Sequence, residues 1–497
     1  MTVRAALLAT ALACVGNAAW SQSQPAVPCG GGQSCAAIRA ADYLDSIGVN
    51  THVNMPNPDP YGEAANAGPG YPVTTGNGTS TSVFNIVKAL QFTGIGVMRD
   101  TVNYTYVVGR FQAIQQAIAQ MKLILITTDV NNTILDHINP PQPIWGSIVA
   151  LEGLNEARDN AAYFPYNGLS GSAGVCAWQK DMYNALQTAN SQRGTTIPFL
   201  AASVADHAQF QEMANDAACV AAANASNGHS YVDTNPPTAG ILAFDGAYSK
   251  SLPSEVQGNA PAGAPNWVTE TGVTSNPYLG GNGCGNGADQ HSQAIVNLEI
   301  ALGFKRLGVA RTVLYELADD PTNDPTPGAN SCQREPHFGM YDFNWNPKEE
   351  AYAFHNQLTV VGDSDANARS FTTAPLAYTI TGAPANTYSL LMQQASGTWV
   401  AAIWPENPVW NYASGGNIGT RVAAATFNAT VTYPAMTAVT LYDPFGSGTT
   451  MTSTNVGAGS SATVPLTDHP VFLVMSGTAA PPPTGGIGVC TFSGGTL

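Results

Sequence analysis

Charge is what this chain has least of. Only 10% of its 497 residues are Asp, Glu, Lys or Arg, against about 25% in an average soluble domain. Basic groups are the scarcer kind, 17 against 33 acidic ones, for a formal net charge of −16. A chain so poor in cations offers no electrostatic footprint for nucleic acid or an anionic membrane, so neither is expected as a partner. No G-x-G-x-x-G follows a strand-like run, which argues against a dinucleotide site. No two cysteines stand at C-x2-C spacing and the eight His residues are scattered, so no metal and no cofactor is expected. Beyond the N-terminal region no unbroken apolar stretch reaches about 18 residues, the length a membrane-spanning helix needs. What remains is 50 Gly, 34 Pro and a surface polar mainly through Asn, Ser and Thr. That composition suits many ordered loops and neutral, hydroxyl-rich partners.

The N-terminus carries Arg4, an apolar run from Ala5 to Val15, and small residues before Ser21. This is the form of a cleavable secretory signal over residues 1–21, so the mature protein is expected to be secreted or periplasmic. Cys14 after Leu12-Ala13 leaves a lipoprotein anchor as the lesser alternative. Cys29, Cys35, Cys176, Cys219, Cys284, Cys332 and Cys490 suit disulfides in an oxidising compartment. Pairing by nearest neighbours would join Cys29 to Cys35, Cys176 to Cys219 and Cys284 to Cys332, although spacing alone leaves the connectivity open.

From residue 36 to about 360, helical periodicity alternates with short apolar runs, the sequence form of a parallel α/β fold. Val83, Ile86, Val87 and Leu90 share one helical face, and Phe111, Ile114, Ala117 and Ile118 another. Candidate strands are Ile47–Val53, Gly94–Met98, Leu123–Ile126, Ile148–Leu151, Ile197–Ala202, Gly228–Val232, Trp267–Thr269 and Thr312–Tyr315. Eight such units match a closed (β/α)8 TIM barrel better than an open doubly wound sheet. Past residue 360 the helical period stops. Runs such as Tyr388–Met392, Trp399–Trp404, Thr426–Thr432, Val439–Tyr442 and Val471–Met475 then predict a C-terminal β-sandwich over 361–478. Residues 479–497, with Pro481-Pro482-Pro483 and then Gly-rich sequence, form a tail.

A (β/α)8 barrel puts its active site at the C-terminal strand ends, so polar residues that terminate apolar runs are the first candidates. The fourth run ends in Asn155-Glu156 and the seventh in Glu270. Two carboxyl groups across a barrel mouth are what glycoside hydrolysis needs: one protonates the leaving oxygen, the other attacks carbon or activates water.

With Leu151-Glu152-Gly153-Leu154-Asn155-Glu156, Asn227-Gly228-His229-Ser230-Tyr231 and Trp267-Val268-Thr269-Glu270-Thr271-Gly272, the chain resembles clan A of the glycoside hydrolases over residues 36–360. The phrases look most like bacterial members near family 39 and the cellulase-like group, with Ala157 where many relatives have Pro. The resemblance implies a retaining O-glycosyl hydrolase for a β-linked polysaccharide or oligosaccharide. Glu156 would be the acid/base, its pKa held up beside an anionic Glu270, and Glu270 the nucleophile. It further implies that Asn155 serves the sugar 2-hydroxyl, that Arg99 holds Glu270 ionised, and that Tyr231 is another partner of Glu270.

Each residue has a plainer role to set beside these. The glutamates could be structural ion pairs, Arg99 could pair with Asp100 or Glu152, and His229 and Tyr231 could be satisfied barrel residues. Trp267, Tyr315 and Trp345 could stack on sugar rings or fill the core. Glu316, Asp319 and Asp320 could bind sugar hydroxyls or be solvated acids, and Glu152 reads as a structural carboxylate inside the barrel. Exo action, or a barrel that binds polysaccharide without cleaving it, stays open. A monomer is expected.

Overall fold

The computed structural model describes residues 34–53, 61, 66, 72–74, 80–101, 105–127, 144–156, 165–203, 212–232, 259–276, 287–320, 335–411 and 419–477. The signal segment, the tail, and Cys14, Cys29, Cys284, Cys332 and Cys490 lie outside them, as does the Cys35 side chain.

The eight barrel strands are β1 (Ile47–Asn50), β2 (Val97–Thr101), β3 (Lys122–Thr127), β4 (Ile148–Leu154), β5 (Phe199–Leu200), β6 (Ser226–His229), β7 (Asn266–Thr271) and β8 (Val309–Leu314). They pair in parallel in the order β6-β7-β8-β1-β2-β3-β4-β5. A parallel bridge between Leu200 and Ala225 closes the circle, with Ala201 N donating to Ala225 O at 3.1 Å. All eight predicted strands are present. Their ends differ, most of all in β2, which begins at Val97, because Gly94 (φ +80°) caps the preceding helix in the left-handed conformation.

That helix, α2 (Phe84–Thr93), follows the short α1 (Ala40–Leu44) and buries Ile86, Val87, Ala89 and Leu90 against the sheet. The others are α3 (Thr105–Ala117), α4 (Gly171–Arg193), α5 (Ala217–Val220), α6 (Gln290–Arg306) and α7 (Glu349–Val361). Asp289 caps α6 by accepting from Ser292 N at 2.8 Å. Every residue of α6 from Ser292 to Arg306 is buried. A helix buried all round must be covered on both sides; here the barrel covers one side and the C-terminal sheets the other.

Those sheets form the expected sandwich. Strands β9 (Thr387–Gln393), β10 (Trp399–Pro405), β15 (Val471–Ser476), β12 (Ala438–Ser447) and β13 (Thr450–Asn455) make one layer, and β11 (Phe427–Met436) and β14 (Gly459–Leu466) join Thr379–Thr381 in the other. Leu391, Ala401, Ile403, Leu473 and Met475 meet Ala429, Val431, Val464 and Leu466 between the layers. The opposite face of the larger sheet, with Leu390, Met392, Val400, Trp404 and Phe472, packs into the barrel's own core cluster. Being covered on both faces, β10 is buried throughout and reads as an unbroken apolar run, whereas β11 alternates. The sequence reading did not anticipate the start of the chain here: Ile38–Arg39 pairs in parallel with β9, and Ser34–Cys35 with Leu376–Ala377.

The predicted bridge between Cys176 of α4 and Cys219 of α5 is formed, spanning 43 residues. Closing a loop of that length restricts the unfolded chain by roughly 4 kcal/mol in the entropic picture. The Cys176→Ala/Cys219→Ala variant is expected to lose about 2–4 kcal/mol in urea unfolding; a loss below about 1 kcal/mol would mean the bridge is incidental.

Candidate active site

The two strands that carry the predicted carboxylates are both irregular just before them. Between β3 and β4 the pairing steps from Ile126↔Glu152 to Thr127↔Leu154, so Gly153 is an extra residue in β4. A side chain there would place its Cβ 2.6 Å from Ala202 N, so only glycine fits. In β7 the pairing skips Thr269 towards β6 and has two residues against one towards β8. Bulges of this kind turn a side chain out of strict alternation; this one lets Thr269 and Glu270 both face the barrel interior.

Beneath the mouth lies a buried polar layer centred on Arg99, which is 1% exposed. Its Nε and Nη2 donate to the two oxygens of Glu152 at 2.7 and 2.8 Å. Nη1 donates to Asn50 Oδ1 at 2.6 Å and Glu270 Oε1 at 2.7 Å. Nη2 also donates to Asn155 Oδ1 at 2.7 Å. Five donors thus meet five acceptor contacts, the full capacity of a guanidinium. Burial by itself would depress the pKa of Arg99, but Glu152 and Glu270 outweigh it and push the value up. Arg99 therefore takes both proposed roles at once, tying a structural carboxylate to the candidate nucleophile. Asp100 is elsewhere, accepting from Thr51 Oγ1 and Val53 N.

Above this layer Tyr231 Oη donates to Glu270 Oε2 at 3.0 Å. His229 Nδ1 lies 2.7 Å from Glu156 Oε1 and 3.4 Å from Glu270 Oε2. Its Nε2 faces the donor Arg99 Nη2 at 3.5 Å. The carboxylate oxygens that face Nδ1 are acceptors, which assigns a proton to Nδ1, where it is given to Glu156. Glu156 itself has φ +41°, a left-handed conformation costly for a side-chain-bearing residue, and its N–H donates to Ser203 Oγ at 3.2 Å.

One expectation changes here. The pKa of Glu156 is held low, first by the hydrogen bond from His229, with burial opposing; it is not held up as the family pattern implied. An acid catalyst must keep its proton, so the His229 contact narrows its working range from the alkaline side. Removing it in His229→Ala should raise the Glu156 pKa and move the high-pH limb of kcat/KM upward. A limb that stays put or moves down would show that Glu156 is not the titrating acid.

Glu156, His229 and Glu270 each bring a donor atom within 4.8 Å of the others, and three protein donors are the number a catalytic zinc site uses. The adjoining Arg99 guanidinium, 2.7 Å from Glu270, sets a full positive charge beside this cluster and repels a second cation, so the arrangement suits carboxylate chemistry better than metal binding.

Trp267 must be moved out of the site. It is the second residue of β7, is 3% exposed, and packs at the opposite end of the barrel with Val97, Ile124, Ala150, Leu200 and Val313, beneath Arg311 at 5.0 Å. Tyr315 and Trp345 instead belong to a continuous aromatic row. Ring centroids step from Tyr231 to Phe338 at 5.8 Å, Phe338 to Tyr315 at 5.5 Å and Tyr315 to His52 at 5.7 Å. The row goes on to Tyr61 at 5.5 Å and Trp345 at 5.7 Å. Glu316 and Asp319 are buried and not solvated. Glu316 Oε2 lies 3.1 Å from His52 Nε2, and burial lifts its carboxyl to about 7. Asp319 accepts from Lys348 Nζ at 2.5 Å.

Sequence reasoning missed Asn50, Thr269, Ser203 and His52. Thr269 Oγ1 donates within the Arg99 layer, 3.1 Å from Glu152 Oε1 and 2.7 Å from Asn227 Oδ1. Asn50 ends an apolar run in the same way as Glu156 and could have been found by that rule.

No protein-family model and no curated protein matches this chain. Among solved structures it is similar to a family 39 glycoside hydrolase from Bacteroides cellulosilyticus: 12% identity and TM-score 0.50, covering 88% of this chain and 82% of that one. It is also similar to a glucosidase from Croceicoccus marinus: 11% identity and TM-score 0.50, covering 89% and 97%. At such identities the likeness is one of fold: a TIM barrel carrying a β-sandwich.

Proposed function

We propose that this protein is a secreted O-glycosyl hydrolase that cleaves a β-linked polysaccharide or oligosaccharide with retention of configuration. The observation that carries the reading is the pair Glu156 and Glu270, on two bulged strands, with carboxylate oxygens within 4.8 Å of each other across His229. Retaining enzymes set their carboxyl groups about 5–5.5 Å apart, while inverting ones leave about 6.5–9.5 Å for a water. The short gap favours direct attack. Glu270, oriented by Arg99 and Tyr231, attacks the anomeric carbon as Glu156 protonates the departing oxygen. Glu156 then takes a proton from water, whose oxygen displaces Glu270. The aromatic row from Tyr231 to Trp345 supplies faces for sugar C–H groups. The activities named for the two fold neighbours agree with this reading. Secretion is supported by the N-terminal Arg4 and apolar run and by the Cys176–Cys219 bridge.

The test is release of reducing sugar from β-glucans, xylans, mannans and bacterial exopolysaccharides, with the anomer of the first product followed by NMR. Cleavage giving the β-anomer first supports the proposal. Inversion would overturn the double displacement, and binding without cleavage of any polymer would favour the polysaccharide-binding alternative.

A further inference from the structure

Arg306, the last residue of α6, is 8% exposed. Among the described residues it makes no hydrogen bond and no ion pair; its Nε is buried without a partner. Its guanidinium lies over the Tyr388 ring, 4.2 Å from the centroid, a contact that satisfies none of its donors. Thr387 Oγ1, one residue away, is likewise buried without a hydrogen-bond partner. Both residues line a cavity of about 180 Å³ at the seam of barrel and sandwich, with Gly382, Ala383, Pro384 and Ser389. At about 30 Å³ per water molecule that is room for a small ligand with its hydration.

A largely buried guanidinium with no hydrogen-bonded partner is costly, and an anion in the adjoining cavity would supply the missing acceptors. We propose that this cavity binds a small oxyanion, held in bidentate fashion by Arg306 and by a hydrogen bond from Thr387 Oγ1. Carboxylate, sulfate and phosphate share the required geometry, and the ion could be free or carried on an acidic sugar.

Charges around the site set the affinity. Glu406 lies close enough to raise the pKa of Arg306, against the larger lowering effect of burial, and its field opposes an anion. Its Oε1 accepts from Trp404 Nε1 at 3.3 Å, which disperses part of that charge. Glu299, two helical turns before Arg306, has its pKa pushed well up by burial, then by Glu406 and Asp468. Helices of the barrel run antiparallel to its strands, so the C-terminal end of α6 sits away from the mouth that holds Glu270. The site is separate from the carboxylate pair, and its test does not depend on the hydrolase reading.

The experiment is titration of the full chain with sodium phosphate, sodium sulfate and sodium glucuronate, each against sodium chloride at equal ionic strength, by calorimetry and thermal unfolding. Saturable binding by at least one anion is expected, weakened about tenfold or more in Arg306→Gln and about threefold in Thr387→Val. Glucuronate binding most tightly supports an acidic sugar, and phosphate or sulfate doing so supports a free ion. No saturable effect beyond chloride, or equal binding in both variants, overturns the proposal. Should Arg306→Gln fail to fold, Thr387→Val decides it. Hydrolysis measured on the same Thr387→Val sample should be unchanged.

Discussion

Under the proposed double displacement, Glu270→Ala is expected to lower glycoside cleavage by about 10⁴-fold or more, with the fold intact, because it removes the group assigned to attack. Glu270 is tied at one oxygen by Arg99 and at the other by Tyr231, so Ala leaves a pocket lined by donors at the point of attack. A small anion such as azide can enter that pocket and attack from the same face, restoring part of the rate and leaving a glycosyl azide of opposite anomeric configuration to the substrate. Glu156→Ala should behave differently. Substrates with good leaving groups need no proton from the enzyme and should retain a fast first step, while poor ones lose about 10²–10⁴-fold. Full activity in Glu270→Ala, or azide rescue of Glu156→Ala alone by an inverted product, would exchange or remove the roles assigned to the two residues.

The second large effect is on stability. Arg99→Met is expected to destabilise the fold by about 3–5 kcal/mol, because it leaves Glu152 and Glu270 in the barrel interior without their common cation. Glu152 accepts two of the five bonds and is 1% exposed; Asn50 and Asn155 lose partners at the same time. Arg99→Lys keeps the charge but, as a single ammonium, cannot fill the same fork, so it should recover part of the stability and little of the activity. Urea unfolding of Arg99→Met and of Arg99→Met/Glu152→Gln measures the coupling. The double variant should regain part of the loss, since a neutral amide is cheaper to bury unpaired than a carboxylate. A single-variant loss under about 1 kcal/mol would mean that water reaches the layer and that the Arg99 network is not the support of Glu270.

The eight apolar runs, the α/β alternation and the sandwich were legible in the sequence because they follow from local period and composition, and the Cys176–Cys219 bridge was among the pairings that nearest-neighbour spacing offered without fixing. Glu156 and Glu270 were legible for one further reason: in a barrel, the residue ending a strand faces the mouth. Three things were not. Trp267 looked like a mouth residue only because its strand was taken to end at Thr269. The bulge at Thr269 and Glu270 carries β7 on to Thr271, and a strand-start residue belongs to the other end. The pKa of Glu156 depended on His229, from a different strand, placing Nδ1 2.7 Å from its carboxylate. The meeting of Asn50, Arg99, Glu152, Thr269 and Glu270 depended on closure of the sheet, which the backbone register sets and no local pattern records. The sequence by itself determined which residues end strands and which are apolar, through periodicity and side-chain chemistry. Tertiary structure alone decided which strand ends face one another and what charge each carboxylate carries, because long-range register and desolvation exist only once the barrel is closed.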